Sequence, residues 1–538
     1  MELLGGKFMK LLTIVTLVSV AGMTACTEQA PSQQASVPAV PPPVATVAPV
    51  KCEDLKSITI ANTAIAVAET VAAGAFQSPA PEFPGFGADY SKLPAFCRVA
   101  GSIAPTADSD IRFELWLPVE GWNGRFLQTG NGGAAGAIVY NSLADPLLRG
   151  YAVANTDTGH QGAMGDFAWA TGHPEKLTDY AWRAVHELTV TGKALATQHY
   201  GKPPEKSYWL GCSTGGRQGL KEAQKFPDDY DAIVAGAPAS NWSPLMALSI
   251  LIQNNISPAG LGVDKLTLLK EAAIKTCDAQ DGVTDRVIAE PATCAFDPST
   301  LQCQSGQRGQ CLSETEAAAA KRIYAGVADG AGQVKIPGTG PASETMWAAY
   351  ATPQFSIGAS YFRNVVAKDP SWDSAAFNLD TDLALAEQAD GGAADAMNPD
   401  IKAYLARGGK LLTYHGTTDG LIPHGNSVNY FESLIAALGA EAVNGGVRHY
   451  LVPGMDHCSG GEGAFAVDWL AAMEEWVERG KEPAALPATR PDVIPGPPGA
   501  PPSTGNGFTR PVCPYPQVAR YKGEGSEKEA VNFACAAP

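Results

Sequence analysis

Short apolar segments that each end in a glycine-rich or polar loop recur along this chain, and that rhythm restricts the fold more than any other feature. Residues 112–117 alternate apolar and polar side chains as a strand does. Residues 125–128 run into Thr129-Gly-Asn-Gly-Gly133, and residues 151–155 into Thr156-Asp-Thr-Gly-His160. Residues 208–211 end at Cys212-Ser213, 410–415 at Gly416-Thr-Thr-Asp419, and 447–452 at Pro453-Gly-Met-Asp-His457. Helical stretches, such as 179–199 and 216–226, lie between several of them. Strands alternating with helices predict an α/β fold: a mostly parallel central sheet with helices on both faces. Function then belongs at the carboxyl ends of the strands, where these loops fall.

At 538 residues the chain exceeds one ordinary domain. Residues 1–26 read as an export signal. Lys7 and Lys10 precede an apolar run over 11–20 that is too short to span a bilayer, and Met9 offers a second, more compact start. Small residues before Cys26 make it the candidate for lipidation, with ordinary cleavage nearby as the alternative. The chain is therefore expected to be exported, either as a periplasmic or outer-membrane lipoprotein or as a secreted protein. Residues 27–50 are a Pro-rich linker. Residues 51–239 are expected to form the first part of the α/β domain. Residues 240–400 break the rhythm with four cysteines and an acidic cluster, and are expected to form an inserted lid. The sheet resumes over 401–538, with a Pro/Gly-rich strap at 481–512. A formal net charge of −17 excludes nucleic acid as a natural partner, and no protein partner is implied.

Gly211-Cys-Ser-Thr-Gly215 fits the nucleophile elbow, in which Ser213 occupies a strained turn between strand and helix. A serine hydroxyl needs a base, and the base an orienting carboxylate, in the order serine, acid, histidine. His457 is the last of eight histidines and follows the last strand-like segment, while Asp419 ends the strand before it. His424 is a rival base and Asp456 a rival acid; His415 lies within a strand and reads as structural. The backbone N–H of Thr214 and the loop at Gly132 and Gly133 are the candidate oxyanion donors. No organic cofactor is required by this chemistry.

Removing Cys26 from eleven cysteines leaves ten, an even number that favours disulfides in an exported chain. If Ser213 and His457 meet, their neighbours Cys212 and Cys458 come within bonding reach. Asp278, Asp281 and Asp285 surround a glycine turn, with backbone carbonyls at Val283 and Val287. Such a loop suits a hard cation such as calcium or is simply solvated.

Gly-Cys-Ser-Thr-Gly-Gly-Arg-Gln from Gly211, with Pro-Gly-Met-Asp-His-Cys ending at Cys458, resembles the tannase/feruloyl esterase family, which includes mono(hydroxyethyl) terephthalate hydrolases. The resemblance covers about residues 51–538. It implies an α/β-hydrolase fold with a large inserted lid. It also implies the Cys212–Cys458 bond and a structural calcium held by Asp278, Asp281, Val283, Asp285 and Val287. The further pairs it implies are Cys52–Cys97, Cys277–Cys294, Cys303–Cys311 and Cys513–Cys535. Two positions depart from the family: Thr417 stands where Trp is frequent, and Thr214 where the terephthalate-type enzymes have Glu. The second places the chain on the feruloyl esterase or tannase side, with a small aromatic ester as substrate. Trp347, Tyr350, Phe355, Phe362 and Trp372 are the candidate aromatic lining, or else lid core. The alternatives are a terephthalate mono-ester or general carboxylesterase and, in a different class, a non-catalytic ligand-binding surface lipoprotein.

Overall fold

Five of the nine central strands are short and buried along nearly their whole length, which is what a parallel sheet covered on both faces demands. The computed structural model describes residues 47–79, 87–257, 259–306, 309–494, 503–505 and 507–538. The expected signal, Cys26 and linker residues 27–46 lie outside them. The strands are β1 Thr63–Val71, β2 Phe96–Ile103, β3 Ile111–Pro118, β4 Arg125–Thr129, β5 Ala152–Thr156, β6 Lys206–Cys212, β7 Ala232–Gly236, β8 Lys410–Gly416 and β9 Val447–Val452. They are ordered β1-β2-β3-β5-β4-β6-β7-β8-β9. From β5 to β9 every pairing is parallel, and β1, β2 and β3 form an antiparallel edge. This is the mostly parallel sheet that the strand–loop rhythm predicts, in the α/β-hydrolase arrangement that the family resemblance implies.

Helices α1 Asn141–Leu148, α2 Ala184–Tyr200, α3 Thr214–Lys225, α6 His424–Leu438 and α7 Trp469–Arg479 cover both faces, whereas α4 Trp242–Ile256 and α5 Val263–Cys277 lie between β7 and β8 with a core of their own. Trp209, Ile233, Ala235 and Leu411 pack on one face with Leu188 of α2, Leu220 of α3 and Leu434 of α6. Their sequence neighbours Tyr208, Val234 and Leu412 pack on the other with Leu143 of α1 and Met473 of α7. The period of two along each strand thus feeds two separate cores. The expected helix over 179–199 lies within a longer helical run, in which an α-helical turn at Pro174–Thr178 passes through a π-helical turn at Asp179–Arg183 into α2. In that wider turn Arg183 Nε donates to Asp179 Oδ1 at 2.5 Å, while the buried Asp179 Oδ2 has no hydrogen-bond partner. The helix stops at Gly201, whose φ of +75° forms a left-handed cap.

β7 and β8 are hydrogen-bonded neighbours, so residues 237–409 are inserted between adjacent strands. The insertion has its own core, in which Leu248 and Ile252 of α4 meet Leu266 and Leu269 of α5, Ile323, Trp347 and Tyr361. Phe167 and Tyr180, which follow β5, join that core and seat the insertion above the carboxyl ends of the strands. Five disulfides are present: Cys52–Cys97, Cys212–Cys458, Cys277–Cys294, Cys303–Cys311 and Cys513–Cys535. Within the stretch expected as a strap, Leu486–Arg490 pairs antiparallel with Phe508–Val512.

Candidate active site

The turn after β6 forces an unusual backbone. Ser213 has φ +63° and ψ −125°, which a residue with a side chain adopts only when its surroundings impose it. The imposing groups are visible. Ser213 N–H donates to Gly236 O at 3.0 Å, and Gly215 N–H donates to Asn131 O at 2.7 Å. The glycines two residues either side are required by close approach: a Cβ added at Gly211 would lie 2.5 Å from Gly215 O, and one at Gly215 would lie 3.0 Å from Gly130 Cα. The serine side chain therefore projects from a rigid corner at the start of α3, where the helix dipole favours negative charge.

Ser213, Thr214, Gly133 and His457 line one cavity of about 30 Å³. Asp419 lies behind it. His457 Nδ1 is 2.7 Å from Asp419 Oδ2, and Asp419 Oδ1 accepts from the N–H groups of Leu421 and Ile422, each at 2.9 Å. His415, read from sequence as structural, also reaches this acid: its Nε2 is 3.2 Å from Asp419 Oδ2 and 2.9 Å from Ile422 O. Because Ile422 O can only accept, that nitrogen carries the proton, and His415 Nδ1 accepts from Ser427 Oγ at 2.6 Å. Burial alone would raise the Asp419 carboxyl. The charge of His457 and the donor from His415 outweigh burial and hold it well below the usual carboxylate range. Asp419 therefore stays ionised and can orient His457.

The rival residues stand elsewhere. His424 opens α6 and lines a different cavity with Pro337 and Tyr515; burial pushes its imidazole down to about 4. Asp456 accepts from Thr418 Oγ1 at 2.8 Å, and burial pushes it up to about 6. Thr214 Oγ1 and Tyr180 OH both donate to Gly133 O, at 2.7 and 3.0 Å, which fixes the loop opposite Ser213. Gly132 lines an adjacent cavity of about 520 Å³, whose wall Phe355 is shared with the smaller one.

Of the five candidate aromatics, Tyr350 and Phe355 reach the Ser213 cavity. Trp347 is buried with Nε1 donating to Thr339, and Phe362 stacks on Trp372 in the insertion core. Trp242, Leu245 and Met246 complete the cavity wall from α4. Their sequence signal is that of any buried helix, so periodicity cannot single them out.

Cys212 and Cys458 are bonded with Cα atoms 6.0 Å apart, which ties the serine turn to the histidine loop. That pairing accompanies a match over residues 97–536 to the family described as tannase and feruloyl esterase. The chain belongs to this family. It is accordingly a carboxylic ester hydrolase. It is 36% identical over 537 residues to an uncharacterized esterase of Xanthomonas campestris pv. campestris, covering 90% of this chain and 91% of that one. It is 33% identical over 531 residues to the mono(2-hydroxyethyl) terephthalate hydrolase of Piscinibacter sakaiensis, covering 84% and 86%. Its fold matches the crystal structure of feruloyl esterase B from Aspergillus oryzae with a TM-score of 0.80 and 30% identity, covering 90% and 99%.

The acidic loop of this family member lies in the insertion. Asp278 is buried, and Asp281 is pushed up to about 6 by burial and by the charges of Asp285 and Asp278. Arg510 Nη2 meets Asp285 Oδ2 at 2.5 Å, so one of the three carboxylates has an ionic partner. Three carboxylates and the Val283 and Val287 carbonyls are the all-oxygen donor types that suit a hard dication, but the carboxylate oxygens of Asp278, Asp281 and Asp285 do not gather within 4.8 Å of one another.

Proposed function

We propose that the protein hydrolyses aromatic carboxylic esters in two steps through an acyl-enzyme on Ser213. His457 removes the Ser213 proton as Oγ attacks the ester carbonyl carbon. The backbone N–H groups of Thr214 and the Gly132–Gly133 loop hold the negative oxygen that forms. The C–O bond to the alcohol then breaks, and His457 returns the proton to the departing alcohol. Water repeats the sequence with His457 as base and frees the acid. Asp419 remains ionised, holds the His457 tautomer and stabilises its cation.

The 2.7 Å contact from His457 Nδ1 to Asp419 Oδ2, beside a serine in an elbow that lines the same cavity, carries this reading. An aromatic acyl group is supported by the walls at Trp242, Tyr350 and Phe355 and by similarity to a feruloyl esterase. A terephthalate mono-ester is the second reading, because the hydrolase of that name is 33% identical. A panel of methyl ferulate, methyl gallate and the terephthalate mono-ester decides between them: turnover of the first two over the third supports the proposal, and the reverse order replaces it.

Calcium belongs to the same reading as a structural ion on Asp278, Asp281, Asp285 and the Val283 and Val287 carbonyls. When bound it supplies charge neutralisation to the acidic turn, and no catalytic step passes through it. The 240–400 segment then acts as the lid that sets substrate choice. Export is supported by the basic and apolar N-terminus and by the five disulfides, with Cys26 as the lipid attachment site. Among the described residues, no helix is long and apolar enough to cross a membrane.

A further inference from the structure

His186 on α2, Glu222 on α3 and Asp229 in the turn before β7 bring one imidazole nitrogen and two carboxylate oxygens within 4.8 Å of one another. His186 Nδ1 is 2.6 Å from Asp229 Oδ2, and its ring is stacked on Phe226 at 3.7 Å, which fixes its plane. Glu222 is 1% exposed, and neither of its carboxylate oxygens has a hydrogen-bond partner. The charged groups that face it are the Asp229 carboxylate and the Lys193 ammonium, and Lys193 Nζ donates to the Asp229 backbone carbonyl instead. With His186 neutral, as a metal ligand must be, two carboxylates against one ammonium leave an uncompensated negative charge in a place where water does not reach Glu222. A buried carboxylate persists only if it is neutralised by a proton or by a cation.

We propose that this trio is a binding site for a transition-metal dication of the Zn²⁺ class. One imidazole with two carboxylates suits such an ion better than calcium, which takes oxygen alone. His186 is 27% exposed at its side chain, so the site opens to solvent on that side and water can complete a four-coordinate shell. The ligands come from α2, α3 and the turn that follows α3. A bound ion would therefore clamp α2 against α3, the helix that begins at the nucleophile turn, and its role is structural. The competing state is a carboxylic acid–carboxylate pair in which Glu222 and Asp229 share one proton.

The test uses the mature full-length chain, stripped with a chelator and returned to calcium-containing buffer. Zn²⁺ is then titrated, with bound metal measured by elemental analysis and the melting temperature followed in parallel. About one Zn²⁺ per chain and a raised melting temperature are expected by mass action. Glu222→Gln and, separately, His186→Gln should each weaken Zn²⁺ binding about 10–100-fold or more and erase the shift, as loss of a metal-site partner does. Both variants should keep the basal ester hydrolysis measured without Zn²⁺. The partly exposed His186→Gln keeps the test valid if Glu222→Gln folds poorly. Failure of the wild-type chain to bind Zn²⁺ at neutral pH would establish the shared-proton pair and overturn the site. Equal binding by the wild type and both variants would place the ion elsewhere and also overturn it.

Discussion

His415 Nε2 and His457 Nδ1 converge on a single oxygen, Oδ2 of Asp419, at 3.2 and 2.7 Å. One histidine of the pair is fully buried and locked by Ile422 O and Ser427, while the other faces the serine cavity. The buried one acts as a fixed strut for the acid, so that the acid can hold the base in one orientation.

From this arrangement, Asp419→Asn should fold normally and lose about 10⁴-fold in kcat, because an amide can stabilise the wrong His457 tautomer. His415→Gln should cost less, about 100-fold or below, since it displaces the acid without removing its charge. Steady-state kinetics on a common methyl ester measure both. Equal losses in the two variants would assign His415 a direct part in the chemistry.

Breaking the Cys212–Cys458 bond should harm rate as well as stability. A Cys212→Ala/Cys458→Ala variant should lose roughly 2–5 kcal/mol by the usual worth of a native disulfide. Well below its melting point it should also turn over about 100-fold more slowly, through a His457 shift of about 1 Å. Full turnover in the folded variant would reduce the bond to a staple between loops.

Much of this site can be read from the sequence, because its parts are local. Gly211 and Gly215 flank a serine between an apolar segment and a helix start, and close approach at both positions explains why glycine stands there. The cysteines next to Ser213 and His457 are equally local signals. His415 is not legible: it reads as one more strand residue, and its contact with Asp419 exists only because the loop after β8 turns back on itself. Trp242, Leu245 and Met246 escape for a related reason. A helix that packs on a core and a helix that walls a cavity have the same apolar spacing. Trp347 and Phe362, conversely, have the aromatic character of a pocket and serve as insertion core.

Chelation should act on stability and leave chemistry alone. Removing calcium should lower the melting temperature, by an amount equivalent to about 2.7 kcal/mol where calcium had been present at 100 times its Kd. The kcat of protein that remains folded should change little, and Asp281→Asn should mimic chelation. Differential scanning fluorimetry with and without added calcium reads the effect. Loss of kcat at unchanged melting temperature would contradict a structural role.

Glu344 gives the insertion a dependence on pH. It is fully buried, and burial pushes its carboxyl up to about 7. Its folded value lies above the unfolded one, so the folded state binds the proton more tightly. This contribution is most favourable at low pH and is lost as pH rises from about 4.3 to about 7, with no further change above. Glu344→Gln should flatten the stability profile in that window. Chemical denaturation at pH 5 and pH 8 measures the difference; an identical slope in both proteins would dismiss Glu344 as its source.

The central claim, that Ser213 is the nucleophile, is tested most directly by labelling with a fluorophosphonate and mapping the adduct by peptide mass spectrometry. The wild-type chain should carry one adduct, on Ser213, and lose ester hydrolysis in proportion to labelling. Ser213→Ala should melt as the wild type does, take no label and lose about 10⁴-fold or more in kcat. An adduct on another residue, or near-wild-type turnover by pure, folded Ser213→Ala, would contradict the account.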